Sequence, residues 1–182
     1  NETHVVNDVK VIHTDHVLGD GMAKNIGLKQ SLGHIVVLLD TSVEITGDVL
    51  SLLSNGLLDK RIGLMGPWGL LSEDLHHFHQ EVSCGEADAV QAYFMAFQRD
   101  LLKEVGLMRE TFRFYRNLDI DFSFQVKDKG YLVVADSTIP AVRHEHRQWF
   151  ALSEEERDEL SRKNFNLFLR RWRDRHDLLV NH

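Results

Sequence analysis

Two carboxylates and two imidazoles in the second half of the chain carry the chemistry that the sequence can offer. Asp119 and Asp121 stand in Arg116-Asn117-Leu118-Asp119-Ile120-Asp121-Phe122-Ser123-Phe124, at the mouth of a helix-like segment. His144-Glu145-His146 follows a strand-like run, Tyr131-Leu132-Val133-Val134, and the turn through Pro140. Paired carboxylates suit general acid or base work, and two imidazoles alternating along an extended segment share a face and can meet one metal ion. Residues two apart on a helix point in different directions, so Asp119 and Asp121 are expected to divide their labour. One can face a cleft while the other caps the helix or pairs with a base such as Arg116 or Arg143. Plain enrichment of a helix N-terminus in negative charge accounts for both carboxylates too. His-x-His can equally be a pair of surface histidines.

The elements that must position these groups begin with Val9-Lys10-Val11-Ile12-His13, a β-branched run stopped by Leu18-Gly19-Asp20-Gly21. Residues 22–32 read as a helix with Met22, Ile26 and Leu32 in register and Gly33 as its stop. Ile35-Val36-Val37-Leu38-Leu39 is a continuous apolar run, as for a strand covered on both faces, and it ends at Asp40. Thr46 is placed to cap a helix carrying Val49, Leu52, Leu53 and Leu57. This β, α, β, α alternation predicts a parallel, doubly wound α/β sheet. Asp40 then lies at the carboxyl end of a strand, where such sheets bind ligands, although an Asp there can also merely cap a turn.

Further along, 61–71 is expected to be a strand followed by a loop, 87–97 a strand and 99–105 a short helix ended by Gly106. His76-His77-Phe78-His79 has helical i, i+3 spacing but no carboxylate or thiol in register, so a solvated face is the plainer reading than a metal tract. Ser153 and Glu156 form a capping box for a helix to about Arg175, with an apolar stripe of Phe165, Phe168, Leu169 and Trp172 for docking on a core.

Composition bounds what this framework can be. A length of 182 residues at 43% hydrophobic content suits one globular domain. The net charge of −7 gives no reason to expect nucleic acid as a partner. The lone Cys84 excludes an internal disulfide framework and fits a reducing, cytoplasmic location. No apolar run approaches a membrane span, so a soluble chain is expected. The sequence starts at Asn1 without Met, which suggests a trimmed or domain-only chain.

In their order and spacing, these pieces resemble the family 2 glycosyltransferases, whose catalytic domain has the GT-A fold. The matching stretches are Gly19-Asp20-Gly21 leading to Ala23-Lys24-Asn25-Ile26-Gly27-Leu28, then Gly33 through Leu39-Asp40-Thr41-Ser42, where the family carries Asp-x-Asp. Ala89 through Arg99, Glu104-Val105-Gly106-Leu107 and Leu118-Asp119-Ile120-Asp121-Phe122-Ser123 through Gly130-Tyr131 continue the match. The resemblance implies a GT-A-like sheet with flanking helices in an N-terminally truncated domain. In that domain 1–60 would be the remainder of the nucleotide-sugar half, 61–150 the acceptor and catalytic half, and 151–182 a C-terminal helix. It implies transfer of a sugar from a nucleotide-diphosphate donor to a saccharide or other hydroxyl acceptor, inverting and assisted by Mn²⁺ or Mg²⁺. Asp119 would be the catalytic base, Asp40 and His144 the metal contacts, and Asn25, Asp40, Ser42, Gln91 and Asp121 donor or acceptor contacts. Ser42 stands where the family has its second Asp, and Leu118 where an acidic residue often precedes the base. The alternative reading is a non-catalytic glycosyltransferase-like binding or scaffold module, and a metal-dependent hydrolase built on Asp119, Asp121, His144 and His146 ranks after both.

Overall fold

The computed structural model describes residues 2–6 and 9–181. In chain order the elements are β1 (Glu2–Val6), β2 (Val9–His13), α1 (Asp20–Gln30), β3 (Ile35–Leu39), β4 (Val43–Ile45), α2 (Val49–Gly56), β5 (Ile62–Gly66) and β6 (Gly69–Leu71). They continue with β7 (Gln80–Val82), β8 (Cys84–Glu86), β9 (Ala89–Val90), β10 (Phe94–Gln98), α3 (Leu101–Val105), α4 (Leu118–Lys127), β11 (Leu132–Asp136), β12 (Ala141–Arg143), α5 (Arg147–Phe150) and α6 (Glu154–Trp172). No helix among the described residues is long and apolar enough to cross a membrane.

The central sheet has the order β3-β10-β5-β11-β8. It is mixed, not parallel: β10 runs antiparallel to both β3 and β5, β11 is parallel to β5, and β8 is antiparallel to β11. The early alternation misled because β2 never enters this sheet. It pairs with β1 in a separate antiparallel hairpin, and α1 leads from that hairpin to an edge strand. An apolar run has no directional signature of its own, so Ile35–Leu39 reads the same in either orientation.

Alternation across the pleat builds two apolar layers. In β10, Met95 and Phe97 join Leu64, Val133, Phe122 and Phe168 on one face, while Phe94 and Ala96 join Leu53, Leu57 and Met65 on the other. In β3, Val36 lies with the first group, whereas Ile35 and Val37 pack on the second. The sheet is therefore sandwiched between α2 and the α4 and α6 side. In α4, every residue except Asp119 is buried, and its polar side chains Asp121, Ser123, Gln125 and Lys127 each meet a hydrogen-bond partner.

Several helix expectations need correction. In α1 the inward row is Gly21, Asn25 and Leu28, and Leu32 lies beyond the helix at 94% exposure. Gly21 sets that row, since a Cβ there would stand 2.5 Å from the Arg109 carbonyl oxygen. Asp48, not Thr46, caps α2 by accepting from the Ser51 N–H. The expected strand 87–97 is broken into β9 and β10 by a turn at 91–93. The capping box of α6 forms as expected, with Ser153 and Glu156 satisfying each other's backbone N–H groups. Asn164 of α6 donates to the Phe114 and Arg116 carbonyls, and Asn117 donates to the Ser161 carbonyl, so α6 holds the loop that leads into Asp119.

Candidate active site

A cleft of about 1270 Å³ lies between the 91–93 turn, the N-terminus of α4, the segment after β12 and the first half of α6. Asp40, Tyr93, Tyr115, Asp119, His146 and Trp149 are among the side chains that line it. Asp119 enters it because Asn117 takes a left-handed conformation, φ 67°, which starts α4 abruptly after the 113–116 loop. The Asp119 carboxylate accepts hydrogen bonds from the Ala92 N–H at 2.9 Å and the Ile120 N–H at 3.0 Å. Burial pushes this carboxyl above its ordinary value, and the two N–H groups and the Arg116 charge only partly oppose the rise. A mostly buried carboxylate of raised basicity that lines a cleft is equipped to take a proton from a bound hydroxyl.

Asp121 has a different fate. Its side chain is fully buried, 3.0 Å from Arg109 Nε, and it accepts from the Trp172 indole N–H at 2.8 Å and from Gln125. Its partner is Arg109, neither Arg116 nor Arg143, because α4 turns this position away from the cleft toward α6. It makes no contact with the cleft as a substrate ligand would, and it ties α4 to the end of α6.

On the opposite wall, Asp40 Oδ1 accepts from the Ser42 N–H at 2.8 Å, and Oδ2 lies 3.1 Å from His146 Nε2. Burial would raise this carboxyl, but the polar contacts from Ser42 and the neighbouring His146 hold it below its ordinary value. Tyr115 stacks on the His146 ring at 3.8 Å between centroids, and Tyr93 meets the same ring edge-on at 5.9 Å. His144, the expected metal contact, is instead 3.1 Å from Glu44 on an exposed surface and does not line the cleft. The two imidazoles part because β12 ends at Arg143, so the strand alternation that would align them stops before they begin.

The remaining expected contacts divide. Gln91 lines the cleft, but its side chain donates to Glu81 and accepts from Arg143. Ser42 is buried just behind Asp40, and among the described residues its hydroxyl has no hydrogen-bond partner. Asn25 does not reach the cleft; its amide exchanges hydrogen bonds of 2.8 and 3.1 Å with the Met108 backbone. Residues that the sequence reading passed over include Tyr93, Tyr115, Trp149 and Lys24, all on the cleft wall, with Arg116 4.7 Å over the Trp149 ring. Tyr115 and Arg116 sit directly before the Asn117-Leu118-Asp119 motif, which was the one signal that could have found them. His76 lines the cleft, and His77 bonds to Asp74.

Known structures share this arrangement of elements. GalNAc-T7, solved with UDP, GalNAc and Mn²⁺, superimposes with a TM-score of 0.71 at 14% sequence identity, over 90% of this chain and 36% of that chain. The chain has a GT-A-like fold. It spans about a third of the length of that neighbour, and no family model or curated protein matches its sequence.

Proposed function

We propose that the chain is the catalytic part of a glycosyltransferase of the family 2 kind, transferring a sugar from a nucleotide-diphosphate donor to a hydroxyl of a saccharide or other acceptor. The observation that carries this reading is the carboxylate of Asp119, raised in basicity by burial and fixed by two backbone N–H groups, facing Asp40 and His146 in one cleft of a GT-A-like fold. The family assignment rests on the order of the sequence motifs.

In the proposed reaction Asp119 accepts the proton of the acceptor hydroxyl while that oxygen bonds to the anomeric carbon and the bond from that carbon to the diphosphate breaks, inverting the configuration. Arg116 supplies positive charge along the cleft for an anionic donor, while Lys24 on the same lining is paired with Asp20. A divalent cation is compatible with the residues present. Asp40 Oδ2 and His146 Nε2 are an oxygen and an imidazole nitrogen 3.1 Å apart, a donor pair suited to Mn²⁺. Among the described residues no group of three or more His, Cys, Asp or Glu side chains is placed to hold an ion, so diphosphate oxygens and water would complete the shell. Such an ion, when bound, neutralises the charge that develops on the leaving diphosphate. Asp40 and His146 would hold it, in place of the Asp40 and His144 pair expected from sequence.

Titration of a nucleotide-sugar panel, with UDP-GalNAc in it and with and without Mn²⁺, tests the proposal. The expected result is saturable, Mn²⁺-enhanced binding of at least one donor. Failure to bind any of them would overturn the reading.

A further inference from the structure

The turn at 91–93 touches both sides of the cleft. The Ala92 N–H donates to Asp119 at 2.9 Å, and the Tyr93 carbonyl accepts from the Asp40 N–H at 2.9 Å. A two-residue stretch of backbone therefore sets the separation between the proposed base and the proposed donor wall. Such a turn must itself be held, and its grip comes from behind. Arg143, the last residue of β12, donates to the Gln91 side-chain oxygen and makes a two-pronged contact with Glu81 at 2.8 and 3.0 Å. Gln91 returns a hydrogen bond to Glu81 at 3.2 Å, and its backbone N–H donates to the Trp68 carbonyl at 2.9 Å. The guanidinium also lies 5.4 Å from the Trp68 ring centroid and 5.9 Å from that of Tyr93.

We propose that Arg143 and Glu81 are positioning residues: through Gln91 they clamp the 91–93 turn and so fix Asp119 in register with Asp40 and His146. Arg143 is three residues before His146, so the same clamp joins the segment that carries the imidazole to the turn that carries the Asp119 hydrogen bond. The Arg143 and Glu81 side chains are 32% and 55% exposed, and an ion pair so open to solvent contributes little to stability. Its geometry argues for another use. A guanidinium fork engages a carboxylate and an amide oxygen at once and still stacks on rings, which a lysine ammonium cannot do. The inference rests on Asp119 being the base, yet the placement of Asp119 can be read without turnover.

The experiment follows the Asp119 carboxyl carbon and the Ala92 amide by NMR across a pH titration in the ligand-free chain. Wild type is compared with Arg143→Met, Arg143→Lys and Glu81→Gln. The groups that face Asp119 are Arg116 and Tyr115 from the preceding loop and Tyr93 from the turn, and none of them is altered. Loosening the turn weakens the Ala92 hydrogen bond that favours the ionised form. The Asp119 midpoint is therefore expected to move upward in Arg143→Met and Glu81→Gln, the Ala92 amide resonance to shift, and Arg143→Lys to fall between. Circular dichroism should show all three folded. Where the wild type hydrolyses or transfers from UDP-GalNAc with Mn²⁺, kcat should drop about tenfold in Arg143→Met with donor KM nearly unchanged, as misplacement of a base requires. An unaltered Asp119 midpoint and Ala92 resonance in folded Arg143→Met would overturn the clamp. Absence of turnover in every form, wild type included, would instead overturn the transferase reading, and the NMR result would still decide the clamp.

Discussion

Asp119 and Asp121 leave the same turn of α4 and meet different surroundings. Asp119 faces the cleft with two backbone N–H donors, whereas Asp121 is enclosed by Arg109, Trp172 and Gln125. Burial raises both carboxyls, so desolvation does not separate their roles. The neighbours do. A carboxylate held by N–H groups at an open wall keeps lone pairs available for a substrate proton, while one closed in by a guanidinium and an indole has its oxygens committed to packing. A perturbed carboxyl marks a functional position only when its free lone pairs reach a cavity.

The largest expected effect tests the cleft side of this contrast. Asp119→Asn keeps the shape and an oxygen to accept from Ala92, but it cannot take a proton. Transfer should fall by about a thousandfold, within the usual range for a removed general base, with the circular dichroism spectrum and donor binding retained. An unchanged kcat would remove Asp119 from the mechanism. The next effect tests the packed side. Asp121→Ala leaves the Arg109 charge without its partner, and breaking a largely buried pair costs about 3 kcal/mol, toward the low end because Arg109 retains some exposure. Chemical denaturation should show this loss while kcat per folded molecule stays near wild type. Loss of kcat without loss of stability would reverse the assignment of the two residues.

A smaller effect separates the two histidines on the opposite wall. His146→Ala should weaken Mn²⁺ binding at least about tenfold by calorimetry or by paramagnetic resonance, and His144→Ala should leave it unchanged, since His144 is paired with Glu44 on the surface. The reverse outcome would restore the ligand expected from sequence.

These contrasts also show what the chain made legible. That Asp119 and Asp121 divide their labour is legible because a helix start and the period of 3.6 are local properties, and the capping box of α6 is readable for the same reason. The choice of Asp119 as the base, by contrast, is what the family resemblance implies. Asp40 at the end of β3 was readable from a strand that stops at a carboxylate. The direction of β3 was not, because its partner β10 lies some sixty residues on and nothing in Ile35–Leu39 records which way that partner runs. Asn25 looked available because its bond to Met108 spans 83 residues. The family resemblance points to His144 and not to His146, and the contacts that separate the two span a hundred residues or more. In the folded chain Glu44 lies opposite Val142 in the β4 and β12 ladder, close enough to draw His144 outward, while His146 passes on to Asp40.

The smallest effect is a pH dependence of stability, and its sign distinguishes the two walls. The Asp119 carboxyl lies above its ordinary value of 3.8 in the folded chain, so the fold binds its proton more tightly than the unfolded chain does. Its favourable contribution is complete below 3.8 and is lost as pH rises through the folded value. Asp40 is displaced the other way, so its contribution is present above 3.8 and disappears as pH falls through its lowered value. Asp119→Asn removes only the first contribution. The variant should therefore gain stability relative to wild type as pH is raised from 3.8 through the folded Asp119 value, with no further change above it. Asp40→Asn should lose stability relative to wild type as pH is raised through the window just below 3.8, because only the wild type gains the ionised contacts with Ser42 and His146. Denaturation midpoints measured across these windows would show opposite slopes for the two variants. Parallel slopes would mean that both carboxylates answer to burial alone, and the division of the cleft into a proton-accepting wall and a charge-holding wall would fail.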